Sequence, residues 1–507
     1  MPTSFSFGKI QFNLSPDSEM RRARREPEAP FVLGVLADFT GRACRGVIES
    51  PATRRPIAID CDNFERVMAQ ASATVRIPAA RGTDAPLEIR LASLDDFHPD
   101  RLLRNVPTLV KLTELRMRLK NPASAEAAAT EAQGLASASP DSPVAATAPS
   151  ATSSESTEDT LARLLGGTPR TPSASQATPP QKGFDIAALI KNVAGAGSVP
   201  SATPRQSAAL SAVELEISGV LRGILHHPTF QAIEAAWRGL DLLVREYGGE
   251  DNIKLFLIDV SKAELAADLK SQEDLQHTAL FKMLREKSWA TLVLDGVYSE
   301  SIEDIETLGR IAKVAAALGA PCCAAACPRF VGCDSFVTHP HPDEWLQPLT
   351  KESSDGWSAL RALPEASYLG LTVPRVLLRQ PYGNGSDPIE SLSFEELSGE
   401  PAHDAYLWGS GAFVCGHVLA GAFRADGWEM TTTGAGELED LPVHKFVDRG
   451  ETTVKPCAEA WLSVRAGERI LNHGLMPILS IKGRGAVQIA NLQAVASPAK
   501  PLSIPRA

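Results

Sequence analysis

Between Asn121 and Pro180 the chain carries no aromatic residue and only two basic ones, Arg163 and Arg170, while Ala, Ser, Thr and Pro dominate. Such a stretch cannot bury enough apolar surface to offset the entropy of ordering it, so it reads as a disordered linker. It divides the 507 residues into a small N-terminal part, residues 1–120, and a larger C-terminal part, residues 205–487, followed by a flexible tail at 488–507. Residues 121–204 form the linker zone. At roughly 100–200 residues per domain, this length asks for about two to four domains. Two patches interrupt the low complexity, Thr157 to Leu165 closed by Gly166-Gly167, and Phe184 to Val193. Each has the apolar spacing of a short amphipathic helix, near 158–166 and 184–193, and helices so short need a partner.

Lys and Arg number 50 against 61 Asp and Glu, a net charge of −11, with 44% hydrophobic residues and a mean hydropathy of −0.08. That is the balance of a soluble, mildly acidic protein with no nucleic-acid partner, whose surface would be basic. The opening MPTSFSFGKIQFN lacks the basic-then-apolar pattern of a secretion signal. The eight cysteines are scattered rather than framed for disulfides. Together they imply a reducing, cytoplasmic setting. The most apolar region, Ile311 to Cys327, carries Lys313. It falls short of the roughly 18 residues that cross a bilayer, so no direct membrane insertion is expected.

Phe5, Phe7, Ile10, Phe12 and Leu14 alternate with polar residues around Gly8-Lys9, the pattern of one extended strand with a bulge at the glycine. A terminal strand of this kind suits completion of a neighbour's sheet, which makes Phe5, Phe7, Ile10 and Phe12 candidate assembly residues. An edge strand of its own domain is the alternative. Arg21, Arg22, Arg24 and Arg25 read as a solvated or partner-facing stretch. Pro30 to Asp38 is a continuous apolar run, hence a strand buried on both faces that turns at Asp38 to Arg42. After Ile57 to Ile59, Asp62 to Met68 opens a capped helix, Val75 to Ile77 and Leu87 to Leu91 pair around Gly82, and leucines recur at helical spacing from Pro99 to Lys120. These elements describe a compact α/β unit. Beyond the linker a helix from Ala208 to Leu225 precedes His226-His227-Pro228, and a second runs to Tyr247, stopped by Gly248-Gly249. Strands at Ile253 to Val260, Ala290 to Leu294, Pro321 to Ala326 and Tyr368 to Thr372 alternate with helices from Ser261 and from Ser301 to Leu318. That order favours a sheet of substantial parallel character.

The chemistry-bearing patterns are sparse. Cys322, Cys323, Cys327 and Cys333, with His339 and His341, lack the paired C-x2-C knuckles of structural zinc sites, and cysteines in an Ala-rich strand serve as small hydrophobes. A metal-binding protein or enzyme using this cluster, near 322–341, stays open as an alternative. His226-His227 reads as a helix junction, because Pro228 follows and no carboxylate sits at zincin spacing. Gly383-Asn-Gly385 and Gly434-Ala-Gly436 read as turns, and neither Ser335 nor Ser410 sits in a G-x-S-x-G elbow. Trp237 and Trp408 read as core or subunit-contact aromatics. No catalytic residue, metal ligand or cofactor is assigned, and the chain is not expected to be an enzyme.

Pro30-Phe-Val-Leu-Gly-Val-Leu-Ala-Asp-Phe-Thr-Gly-Arg42, Ile59-Asp-Cys-Asp-Asn-Phe64 and Ser93-Leu-Asp-Asp-Phe-His-Pro99 resemble the small contractile-sheath subunit of type VI secretion systems. Ile224-Leu-His-His-Pro-Thr-Phe-Gln231, Glu234-Ala-Ala-Trp-Arg-Gly-Leu240, Gly370-Leu-Thr-Val-Pro-Arg375, Arg379-Gln-Pro-Tyr-Gly383 and Leu407-Trp-Gly409 resemble the large one. The whole is similar to a natural fusion of the two (TssB/VipA-like, then TssC/VipB-like). The resemblance implies a structural protein that pairs with itself or other sheath subunits, polymerises around an inner-tube protein, works with baseplate proteins and contracts. It further implies dismantling by a ClpV-type AAA+ ATPase that grips a short helix, for which Leu161, Leu164 and Leu165 are the candidates. Family large subunits usually carry a longer loop after the helix ending near Glu286 and continue well past the segment equivalent to Lys482-Gly483. From that departure comes the alternative of a sheath-derived accessory, adaptor or capping protein that does not polymerise alone.

Overall fold

The computed structural model describes residues 5–10, 26–78, 86–137, 203–397, 402–432, 434, 436–448 and 450–505. From the small part come strands β1 (Phe31–Ala37) and β2 (Ile57–Ile59), helix α1 (Phe64–Ala71), strands β3 (Ala73–Ile77) and β4 (Leu87–Leu91), and helices α2 (Pro99–Asn105) and α3 (Pro107–Lys120). Helices α4 (Ala125–Ser137), α5 (Pro204–Leu225) and α6 (Pro228–Tyr247) follow. The chain then runs β5 (Ile253–Asp259), α7 (Lys262–Ser271), α8 (Ala279–Leu284), β6 (Thr291–Tyr298), α9 (Ile302–Leu318), β7 (Cys322–Ala326), α10 (Lys351–Arg361) and β8 (Leu369–Val373). It continues through β9 (Val376–Leu377), β10 (Trp408–Gly409), α11 (Ala412–Asp426), β11 (Gly436–Leu438), β12 (Lys445–Asp448), β13 (Glu451–Val454), α12 (Val464–Asn472), β14 (Met476–Ser480) and β15 (Val487–Ile489). The fold class is α/β.

Residues 1–110 and 217–507 form one compact unit, and residues 111–216 a second. The first is built on a nine-stranded sheet in the order β11-β15-β14-β8-β7-β6-β1-β5-β2. Strands β14, β8, β7, β6, β1 and β5 run parallel, as the alternation of strands and helices predicts. β1 lies inside this sheet, in register with β5 from Phe31↔Ile253 to Ala37↔Asp259 and with β6 from Leu33↔Thr291 to Leu36↔Leu294. Its sequence, Phe-Val-Leu-Gly-Val-Leu-Ala, is apolar on both faces because both are covered. On one face Leu33 and Val293 approach Gly416 of α11. On the other, Leu36, Leu292 and Leu294 gather with Leu265, Leu280 and Ile311. Gly34 is required by contact rather than by backbone angle: a Cβ there would lie 2.8 Å from the Trp289 ring and 2.9 Å from Leu292.

The compact N-terminal unit expected from the sequence is therefore divided. β1 and β2 join the sheet of the large part, and of the small part's strands only β3 and β4 pair with each other, from Ala73↔Leu91 to Ile77↔Leu87. Aromatic side chains complete the union. Trp237 of α6 is fully buried between Phe39 and Phe64 (centroids 4.9 and 5.8 Å) and donates its Nε1–H to the Phe39 carbonyl. Trp428 stacks on Phe31 and donates to the Ala29 carbonyl at 2.8 Å.

In the second unit, α3, α4 and α5 meet through Leu112, Leu115, Leu119, Ala128, Ala132, Ala209 and Val213, all buried. Arg116 pairs with Glu214 at 2.7 Å, and Gln206 donates to the Leu119 carbonyl at 2.6 Å.

Four details differ from the sequence reading. The helix expected over Pro99 to Lys120 breaks at Val106, because Pro107 disfavours a helical residue before it, and Val106 is extended. Ala125–Ser137 is a helix although it falls in the linker zone, its alanines being the strongest helix formers. Residues 5–10 make a single bridge, Lys9↔Asp274, rather than a full strand. Residues 488–505, expected as a flexible tail, are held in place: Val495 N–H donates to the Leu369 carbonyl, Ser503 N–H to that of Ser367, and Leu492, Val495 and Leu502 are buried. Their few apolar side chains find the flank of β8, a surface that composition does not reveal.

Gly34→Val is expected to destabilise the chain by about 1–3 kcal/mol through overpacking against Trp289. Urea unfolding should show a lower midpoint with an unchanged slope; an unshifted midpoint would mean that β1 is not seated against Trp289.

Candidate functional site

The candidate site is the joint through which the small part enters the large one. At the carboxyl end of β1 the chain turns through Asp38 to Arg42, and the Asp38 carboxylate accepts the backbone N–H groups of Arg42 and Ala43 (2.9 and 2.8 Å). Asp259, at the end of β5, accepts from Phe39 N–H and from the Thr40 hydroxyl, each at 3.0 Å. The turn thus presents Arg42 to two carboxylates of the large part: Nη1 lies 2.6 Å from Asp259 and Nε 2.9 Å from Glu264. Arg42 also donates to the Thr40 hydroxyl. Arg54 reaches Glu264 from the other side, at 2.8 and 2.7 Å. Glu264 itself is fixed by a capping box with Ser261 at the start of α7.

Two guanidinium groups therefore converge on one fully buried carboxylate. Burial by itself would push the Glu264 carboxyl up, but the hydrogen bonds from Arg54 and Arg42 outweigh it and hold it at about 2. Burial likewise pulls the Arg42 guanidinium down, and Asp259 and Glu264 more than reverse this, so its pKa is raised. A second ionic knot stands on the resemblance motifs of the large part. Arg379 bonds Glu234 at 2.8 Å and Glu396 at 2.7 and 2.9 Å, Arg238 bonds Glu234 at 2.8 Å, and Tyr382 N–H donates to Glu396. Asp100 of the small part reaches the same neighbourhood, accepting Glu390 N–H, Ser391 N–H and the Ser391 hydroxyl.

The N-terminal segment makes the third contact. Lys9 N–H donates to the Glu273 carbonyl and Leu275 N–H to that of Lys9 (2.8 and 2.9 Å), while Arg310 donates to the Ser6 carbonyl. Phe7 is buried in a notch at Gly309, where a Cβ would come within 2.0 Å of its ring, and Phe5 approaches Gly356. Gly8 takes the left-handed φ of 72° at the expected bulge. Ile10 is half-buried. Of the candidate assembly residues, Phe5 and Phe7 thus lie against the chain's own large part, Ile10 follows the Lys9 bridge, and Phe12 lies outside the described residues. So do Leu161, Leu164 and Leu165, the helix candidate at 184–193, and Arg21, Arg22, Arg24 and Arg25.

The Cys/His group near 322–341 separates. Cys322 and Cys323 are buried in β7, Cys327 donates to Glu300, and Cys333 points to the His339 carbonyl. Among the described residues no three His, Cys, Asp or Glu side chains are placed to hold a metal ion. His227 caps α6, accepting from Thr229 N–H at its N-terminus. Sequence reading missed Glu264, Arg54 and Asp259 as a set. Ser261-x-x-Glu264 is a visible capping box, but the arginines that use its glutamate lie more than 200 positions away.

Glu264→Ala leaves Arg42 with Asp259 as its one remaining carboxylate and removes the two-point partner of the half-buried Arg54, and a loss of about 1.5–3 kcal/mol in urea unfolding is expected. Because the folded carboxyl sits near 2, below the ordinary value of 4.5, its contribution is complete above about pH 4.5 and disappears as pH falls toward 2. Unfolding midpoints taken between those limits should fall less steeply in Glu264→Gln than in the wild type.

Two family models match the chain. Residues 9–133 match "Type VI secretion system, VipA, VC_A0107 or Hcp2", and residues 207–496 match VipB, "EvpB/VC_A0108, tail sheath N-terminal domain". The chain is 31% identical over 305 residues to "Type VI secretion system sheath protein TssC1" of Pseudomonas aeruginosa, covering 57% of this chain and 61% of that one. It is 33% identical over 109 residues to "Type VI secretion system sheath protein TssB1" of the same organism, covering 21% of this chain and 63% of that one. The chain therefore spans less than two thirds of either relative's length. No described helix is long and apolar enough to cross a membrane. With more than half of its length matched, the chain belongs to the VipB tail-sheath family, and it carries a VipA-type segment fused ahead of that domain.

Proposed function

We propose that this chain is a fused protomer of a type VI secretion contractile sheath. It polymerises in the cytoplasm around an inner-tube protein, contracts to propel it, and does so as a structural protein rather than an enzyme. The observation that carries this reading is the seating of a VipA-type strand in the middle of the VipB-type sheet. Fusion sets the ratio of the two parts at one to one and raises their effective concentration for each other. Baseplate proteins and other sheath subunits are the further partners. The test is negative-stain electron microscopy of the purified full-length chain, alone and with its inner-tube protein. Hollow helical tubes are expected; monomers or small oligomers in both samples would overturn the protomer reading in favour of an accessory, adaptor or capping role.

In this proposal the segment carrying Phe5, Phe7, Ile10 and Phe12, which here docks through Phe5 and Phe7 on the chain's own large part, joins copies by completing a neighbour's sheet in the assembly. Deleting residues 1–14 is expected to cut tube yield at least about tenfold, the equivalent of roughly 1.4 kcal/mol. An undiminished yield would leave the segment a purely internal contact. Leu161, Leu164 and Leu165 are the residues that a ClpV-type AAA+ ATPase grips in this proposal. The double change Leu164→Asp, Leu165→Asp should abolish capture of that ATPase in a pull-down while circular dichroism and thermal unfolding stay as in the wild type.

A further inference from the structure

All eight cysteines lie in the described part of the chain, and in one place two of them meet. The Cys323 and Cys415 sulfurs are 2.8 Å apart and both side chains are fully buried. The meeting follows from the fold. Cys323 of β7 is paired with Val293 of β6, on the face covered by α11. Near the start of α11, Gly416 lets the helix close on that face, since a Cβ there would lie 2.7 Å from Val293. The close approach sets the neighbouring Cys415 directly on β7. The other six thiols go elsewhere: Cys322 faces the opposite side among Leu292, Leu294 and Ile311, Cys61 is exposed, and Cys44, Cys327, Cys333 and Cys457 point to oxygen atoms.

We propose that Cys323 and Cys415 are a latent disulfide site, a covalent tie between the central sheet and α11 that forms when a small thiol oxidant reaches the core. Two S–H bonds break and one S–S bond forms. Two electrons and two protons pass to the oxidant, either a low-molecular-weight disulfide reduced to two thiols or a diazene reduced to a hydrazine. A hydrogen bond to Cys323, together with burial, pushes the Cys415 thiol up, and with both sulfurs shut off from solvent oxidation is slow until the core opens locally. The tie closes a loop of 92 positions and is expected to raise the unfolding temperature.

The test uses the purified full-length chain, treated with diamide in non-denaturing buffer containing low urea, then alkylated under full denaturation and mapped by mass spectrometry. Two of the eight thiols should resist alkylation, the cross-linked peptide should join 323 to 415, and dithiothreitol should reverse both the cross-link and the rise in unfolding temperature. Cys415→Ala, with Cys415→Val to keep the volume should the alanine variant fail to fold, should leave every remaining thiol alkylated. Alkylation of all eight thiols in the treated wild type, or a cross-link running through Cys322 or any other cysteine, would overturn the proposal.

Discussion

The structure depends on one strand being accepted between two strands that distant sequence supplies. β1 hydrogen-bonds β5 on one side and β6 on the other, so the large part alone would present two unpaired strand edges in the middle of its core. β5 and β6 are consecutive in the large part, yet they are separated by the width of a strand that it does not encode. The small part is thus an internal member of the sheet rather than a domain resting on a finished surface.

The ionic contacts sharpen that insertion. A one-residue slip of β1 would put a side chain where Gly34 meets Trp289 and also move Asp38 and Arg42 away from Asp259 and Glu264. Buried ion pairs add little net stability over apolar contacts, but breaking one is costly, which makes them good selectors of register. Glu264 meets this role because four residues hold it, Arg42, Arg54 and the backbone N–H groups of Glu49 and Ser261. Phe7 at Gly309 adds a shape criterion for the N-terminal segment.

Much of the fold was legible. The double-sided apolarity of Phe31 to Ala37, the alternation of β5 to β8 with helices, and the capped starts at Ser261 and Ser301 are local signals, and the structure carries each of them. Of the site, Phe5 and Phe7 were visible as an alternating strand, whereas the groove that receives them, around Gly309, Gly356 and Arg310, has no local signature. Arg42 was legible as the end of a turn and Arg54 carried no local signal, since their partner Glu264 lies beyond the linker. The break at Val106 was legible in Pro107 and overridden in reading by the leucine periodicity on either side.

What the sequence determined by itself is the class of elements and the existence of two parts, because helix and strand periodicity, caps and the apolar-poor linker act over a few residues. Only the tertiary structure decided that the parts share one sheet, that residues 488–505 are held against β8, and that Cys323 meets Cys415. These outcomes turn on which buried surfaces match in shape and charge across hundreds of positions. An apolar run announces that it will be buried, but not which strands will lie beside it.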